Sequence, residues 1–192
     1  MNQLYDMHCH MGFAPSPIAT AQEGAAAGIG AFSCTVAPDE YERLLPILAD
    51  APNVALGLGA HPWWIADGRV GEVELDRFCE LARATRFIGE IGLDFAGPRD
   101  TEESRVRQTG AFARILAACD QPVAPSAAGD LASKLISIHA VNAAATALNL
   151  LEAAGTLARH QVIFHWFSGA SDDLHRAIKL GCFFSVGPRM LA

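Results

Sequence analysis

Four histidines and one glutamate sit on short apolar runs of this chain, spaced as metal ligands are spaced. His8 and His10 form an H-x-H in Leu4-Tyr-Asp-Met-His-Cys-His10. Glu90 lies in Phe87-Ile-Gly-Glu-Ile-Gly-Leu-Asp94, while His139 and His165 close Leu135-Ile-Ser-Ile-His139 and Gln161-Val-Ile-Phe-His165. A strand repeats every two residues, so His8 and His10 share a face and Cys9 points the other way. Two imidazoles so placed reach one cation, and a carboxylate such as Glu90 can bridge it to a second. Singly, each histidine has a plainer alternative, a strand-face imidazole satisfied in a polar layer. Glu90 is harder to place that way. It is flanked by Ile88, Gly89, Ile91, Gly92 and Leu93, and a buried unpaired carboxylate is costly. The neighbouring strand segments contain no lysine or arginine, which leaves a metal as the economical partner.

The elements that must position these residues alternate between strand and helix. Strands are predicted at Leu4–His10, Ala31–Ala37, Val54–Ala60, Phe87–Leu93, Leu135–Ala140, Gln161–His165 and Cys182–Gly187. Ser16-Pro17 reads as an N-cap with proline at the first helical position, opening a run that stops near Gly28-Ile-Gly30. Tyr41, Leu44, Leu45 and Leu48 follow helical spacing after Pro38-Asp39. Asp100 with Glu103 forms a capping-box pattern before Val106, Phe112, Ile115 and Leu116, and Leu174, Ala177 and Ile178 repeat the period after Ser171-Asp172-Asp173. Strand–helix alternation implies a parallel sheet with right-handed crossovers. The expected fold class is α/β, a TIM-type (β/α) barrel with seven of eight strands present. Its chemistry should lie where the strands end. A complete barrel takes about 250 residues, so residues 1–192 read as a single domain about 60 residues short, lacking the last β/α unit. The segment Gln121–Gly129 reads as a Pro/Ala loop before the fifth strand.

Composition bounds the rest. With 51% hydrophobic and 18% charged residues, the chain suits strands buried on both faces. The longest run free of Asp, Glu, Lys and Arg, Leu135 to Leu151, is broken by Ser137, His139, Asn142 and Asn149, which argues against a membrane span. There is no basic flank or apolar stretch of a secretory signal at the start, and the five cysteines are scattered with no C-x-x-C. Both point to reduced thiols in the cytoplasm. A net charge of −7 argues against a broad grip on duplex nucleic acid, though not against a strand end engaged through bound cations.

The motifs together resemble the TatD family of metal-dependent hydrolases, in the amidohydrolase-like TIM-barrel superfamily. They are Asp6-Met-His-Cys-His10, Gly57-Leu-Gly-Ala-His-Pro62, Ile88-Gly-Glu-Ile-Gly-Leu-Asp94, Ile138-His139, Phe164-His-Trp-Phe-Ser-Gly169 and Ser185-Val-Gly-Pro188, in the family's order. The resemblance implies two divalent ions (Zn, Mn or Mg). His8, His10 and Glu90 would hold one, and Glu90 would bridge to a second held by His139 and His165. Glu90 and His61 would be the catalytic residues, His61 resembling a position that contacts the substrate's phosphate; a turn histidine before Pro62 is the alternative. Asp94 would orient a ligand histidine from behind, or simply form a turn. Trp63, Trp64, Trp166 and Phe167 would stack on a base or pack against the barrel, and His160 and His175 would face solvent.

Two departures bear on substrate. The family's eighth strand ends in a Thr-Asp whose carboxylate binds metal and activates water, and no such motif occurs here. The family's H-x-R is replaced by His139-Ala140-Val141, which removes a fixed phosphate-binding cation. The implied activity is phosphodiester hydrolysis at DNA ends, that of a deoxyribonuclease, with a DNA end or small phosphoester as partner. The alternatives are hydrolysis of a small ester, lactone or amide, and a non-catalytic paralogue. Open barrel edges would favour self-association.

Overall fold

The computed structural model describes residues 4–120 and 133–187. Seven parallel strands follow one another in chain order: β1 (Leu4–Cys9), β2 (Ile29–Cys34), β3 (Val54–Gly57), β4 (Phe87–Asp94), β5 (Leu135–Val141), β6 (Gln161–His165) and β7 (Phe183–Phe184). The ladder β1-β2-β3 joins β4-β5-β6-β7 through a parallel bridge between Leu58 and Ile88. Helices α1 (Pro17–Ala26), α2 (Pro38–Ile47), α3 (Pro62–Ala66), α4 (Glu72–Ala82), α5 (Glu102–Cys119), α6 (Ala144–Ala153) and α7 (Ser171–Lys179) fill the connections. This is the strand–helix winding of a TIM-type barrel. Among the described residues, β1 and β7 each pair on one side only, and a cavity of about 530 Å³ lies between them, lined by Met7, His8, Phe184 and Ser185. The predicted Gln121–Gly129 loop lies outside the described residues, as does Pro188 of the last motif.

Local chemistry accounts for the boundaries. The Ser16 side chain accepts from Ala19 N–H, Pro17 opens α1, and Gly28 at φ 72° turns the chain into β2. At α5 the cap is Thr101, which accepts from Ser104 N–H, rather than the expected Asp100, whose carboxylate pairs instead with Arg105. Strands β2 and β3 end earlier than the alternation suggests because the chain changes partners there. Thr35 N–H reaches Gly89 O at 3.0 Å, Thr35 O receives Glu90 N–H at 2.9 Å, and Leu58 N–H turns to Phe87 O at 2.9 Å. Only glycine permits this crossing at position 59, where a Cβ would stand 1.7 Å from Thr35 O. β7 is two residues long rather than six, because only Phe183 and Phe184 find register partners, on β6.

The strand residues that are not ligands build the core. Ile88, Ile91, Leu93, Ile136, Ile138 and Phe164 are buried against Phe78, Phe112, Ile115 and Leu116 of α4 and α5. Each such side chain contributes roughly 1.5–3 kcal/mol, and this packing fixes the strands that carry the polar residues. Leu45, by contrast, faces solvent at 42% exposure, and α2 buries Tyr41 and Leu44, with Leu48 buried at its C-cap.

Candidate metal centre

At the carboxyl ends of the strands, the five predicted ligand residues and His61 line one cavity of about 740 Å³. Glu90 is at its floor with 2% exposure, in the middle of β4 rather than at its end. Its Oε2 lies 3.3 Å from His8 Nε2, 3.1 Å from His10 Nε2 and 3.5 Å from His61 Nε2, and its Oε1 lies 2.7 Å from His139 Nδ1. Burial alone would raise the Glu90 carboxyl pKa; the surrounding imidazoles outweigh it and hold the group well below the usual range.

Ring nitrogens can be assigned from the groups behind them. His10 Nδ1 faces Cys34 O at 3.0 Å and must donate to it, so in the neutral ring Nε2 carries the lone pair. That lone pair points at Glu90 Oε2 and stands 3.2 Å from His8 Nε2. Without a positive charge between them, the facing acceptors would repel. Separations of 3.1 to 3.3 Å among the three atoms place them close enough to share one cation. His8 is held from behind by Ser137 Oγ at 3.0 Å from its Nδ1.

His61 is arranged the opposite way. Its Nδ1 accepts Trp63 N–H at 3.1 Å, so the neutral ring bears its proton on Nε2 and donates toward Glu90. Burial lowers its pKa and outweighs the raising effect of Glu90, which keeps it neutral. His139 lies between two carboxylates, Nδ1 on Glu90 at 2.7 Å and Nε2 on Asp94 Oδ2 at 2.8 Å. Burial would lower its pKa, but hydrogen bonds to Asp94 and Glu90 raise it to about 9. Asp94 is itself fixed by Trp63 Nε1–H at 2.5 Å, by Ala96 N–H at 3.0 Å and through its backbone by Gln108.

His165 stacks on His8, ring centres 3.5 Å apart, with Trp166 on its other neighbouring face at 4.5 Å. Burial and then repulsion from His8 lower its pKa to about 4, which keeps the ring neutral, with Ser185 Oγ 3.4 Å from its Nδ1. The resemblance groups His165 with His139 around Glu90. In the structure, His8, Glu90 and His165 form one set of ligand atoms and His61, Glu90 and His139 another, each within 4.8 Å. The cause is local: Asp94 draws His139 toward Trp63, and His165 packs flat on His8. The expectation that His160 faces solvent is corrected: its side chain is 9% exposed and Nδ1 accepts Lys134 N–H at 3.2 Å. His175 is exposed.

Residues 5–192 match the family model described as TatD related DNase. The chain belongs to this family. The crystal structure of YjjV, a TatD homolog from Escherichia coli K12, superimposes with a TM-score of 0.76 at 22% identity, over 94% of this chain and 66% of that one. At that identity the likeness concerns the fold, and it supports the barrel; the chain spans a little under two thirds of the E. coli protein's length. Comparison with curated proteins gives no match.

Several supporting groups carry little signal in the sequence. Ser137 does carry one: it lies two residues before His139 in an otherwise apolar run and so shares its face. Cys34 acts through its carbonyl and Gln108 reaches in from α5, and neither contribution follows from residue type. Among the described residues, no helix is long and apolar enough to cross a membrane.

Proposed function

We propose that the chain is a metal-dependent hydrolase of the TatD type that cleaves phosphodiesters at DNA ends. The observation that carries the reading is the buried Glu90 carboxylate ringed by imidazoles, with no lysine or arginine among the described residues lining the cavity. His8, His10 and Glu90 would hold one divalent ion; the second, which the resemblance assigns to Glu90, His139 and His165, would need His165 to leave its stack on His8, since the fold gathers His61 with Glu90 and His139 instead. Four histidines favour Zn²⁺ or Mn²⁺ over Mg²⁺, which prefers oxygen ligands. Bound there, such ions supply Lewis acidity and lower the pKa of a coordinated water.

The chain's own residues prepare the rest. Cys34 O and Ser137 hold the His10 and His8 rings in place. Asp94, braced by Trp63 and Gln108, orients His139. His61 presents a neutral Nε2–H to the cavity, a donor suited to an oxygen of the substrate that gains charge. Trp63, Trp64 and Trp166 line the cavity.

One feature favours a second reading, hydrolysis of a small neutral ester, lactone or amide. Phe13, Val36 and Val141 make much of the lining apolar, and Val141 stands where the resemblance expects an arginine. Rates on a model phosphodiester, an aryl ester and a lactone, each with added Mn²⁺ or Zn²⁺ and after chelation, separate the two. Chelator-sensitive phosphodiester cleavage that exceeds ester cleavage is expected. Metal-dependent hydrolysis of the ester or lactone alone would replace the first reading by the second.

A further inference from the structure

We propose that Arg99 is the phosphate-recognising residue of this chain, taking from the β4–α5 connection the role that no basic residue fills after His139. The proposal rests on the phosphodiesterase reading above and names a specificity determinant for it.

Arg99 ends the short 3-10 turn Gly97–Arg99 that follows β4. Its guanidinium carbon lies 4.5 Å from the centre of the Trp63 ring, which is itself a wall of the metal cavity and stands 6.1 Å from the His139 ring. The stack holds the guanidinium against Trp63, which borders the metal cavity, without using its hydrogen-bond donors. Those donors are uncommitted. Arg77, Arg105, Arg107, Arg114, Arg159 and Arg176 each hold a carboxylate, whereas no described ion pair includes Arg99. Its Nε is buried with no hydrogen-bond partner among the described residues. Arg99 also lines a cleft of about 170 Å³ with Thr101, Ser104 and Arg107, whose two acidic residues, Asp67 and Glu103, already pair with Arg69 and Arg107. Val141, which lines the metal cavity and pairs in register with Asp94, offers no charge. A guanidinium on a stacked platform binds phosphate through two parallel N–H bonds, a geometry lysine does not reproduce.

The ligand chemistry is a phosphate oxyanion, either on a nucleotide or free. The test measures affinity, by calorimetry on the metal-loaded chain, for thymidine 5′-phosphate, thymidine and inorganic phosphate. Wild type should prefer the phosphate over the nucleoside, and Arg99→Met should reduce that preference tenfold or more. Arg99→Lys should recover part of it and serves as the reading if the Met variant does not fold. Arg86→Met is the control: Arg86 lies over Phe87 at the other end of β4 and should leave the ratio unchanged. Equal affinity for inorganic phosphate and the nucleotide would identify free phosphate as sufficient, with Arg99 still its binder. No preference in wild type, or one undiminished in Arg99→Met, would overturn the proposal. Because the readout is binding, a chain that cleaves no phosphodiester would refute the proposed function without deciding this point.

Discussion

Asp94→Asn should weaken metal binding about 10–100-fold, or about 1.4–2.7 kcal/mol, while leaving the barrel folded. Asp94 Oδ2 accepts from His139 Nε2–H at 2.8 Å and from Trp63 Nε1–H at 2.5 Å, while Oδ1 accepts from Ala96 N–H at 3.0 Å. For His139 to present an Nδ1 lone pair to a cation, its proton must sit on Nε2, which is where the Asp94 carboxylate holds it. Asparagine offers one acceptor for these three donors. If its oxygen keeps His139 and Trp63, the amide NH₂ faces Ala96 N–H and a turn bond worth about 0.5–1.5 kcal/mol is lost. If it keeps Ala96, the NH₂ faces His139 and favours the wrong tautomer. Either way the charge that steadies the Nε2–H form is gone. The backbone clamp through Gln108 survives in both cases, so the fold should hold. The assay is competition for Zn²⁺ or Mn²⁺ against a chromophoric chelator, with thermal unfolding as the fold control. A variant within twofold of wild type in affinity would refute the orienting role of Asp94.

Four further outcomes follow from the same geometry. Gly92 sits at φ 134° and a Cβ there would lie 2.1 Å from His139 O, so Gly92→Ala should cost about 3 kcal/mol or more by urea unfolding. Lys134 Nζ caps the end of α4 by donating to Ala82 O and Thr85 O at 2.7 Å each; Lys134→Met should strand Thr85 O, leave Ala82 O with only Thr85 N–H at 3.4 Å, and lower stability by about 1–3 kcal/mol in the same assay. Burial lowers the His160 pKa below its unfolded value, so the unfolded chain takes up a proton that the folded one refuses. Its contribution is fully present above about pH 6.5 and is lost as pH falls below that; unfolding free energies measured across this window should show a shallower acid slope in His160→Gln. With Leu4, Phe183 and Val186 exposed at 67%, 55% and 58% beside strands paired on one side, the 192-residue chain should self-associate in sedimentation; a monodisperse monomer would contradict that reading of the edges.

Much of this site was legible from the chain because strand periodicity and burial are strong constraints. H-x-H on an apolar run places His8 and His10 together, and a glutamate between two Ile-Gly pairs has to meet positive charge inside the fold. What did not show was everything set by backbone crossing or distant packing. The handover of β3 to β4 at Leu58, the Cys34 carbonyl behind His10 and the Gln108 clamp arise from which elements meet, and residue type does not encode that. Asp100 shows the same limit at short range. Its spacing to Glu103 fits a capping box, yet Thr101 caps the helix because Asp100 is drawn to Arg105. His160 read as a surface residue because its partner strand and Asp120 are remote in sequence.

Whether Glu90 and its imidazoles form a cation site is decided by the metal content of the purified chain after equilibrium dialysis against Zn²⁺ or Mn²⁺. The account predicts that wild type retains divalent metal through exhaustive removal of the free ion, and that Glu90→Ala, having lost the carboxylate shared by His8, His10 and His139, retains far less. Wild-type protein that keeps no metal, or a Glu90→Ala variant that keeps as much as wild type, would contradict it.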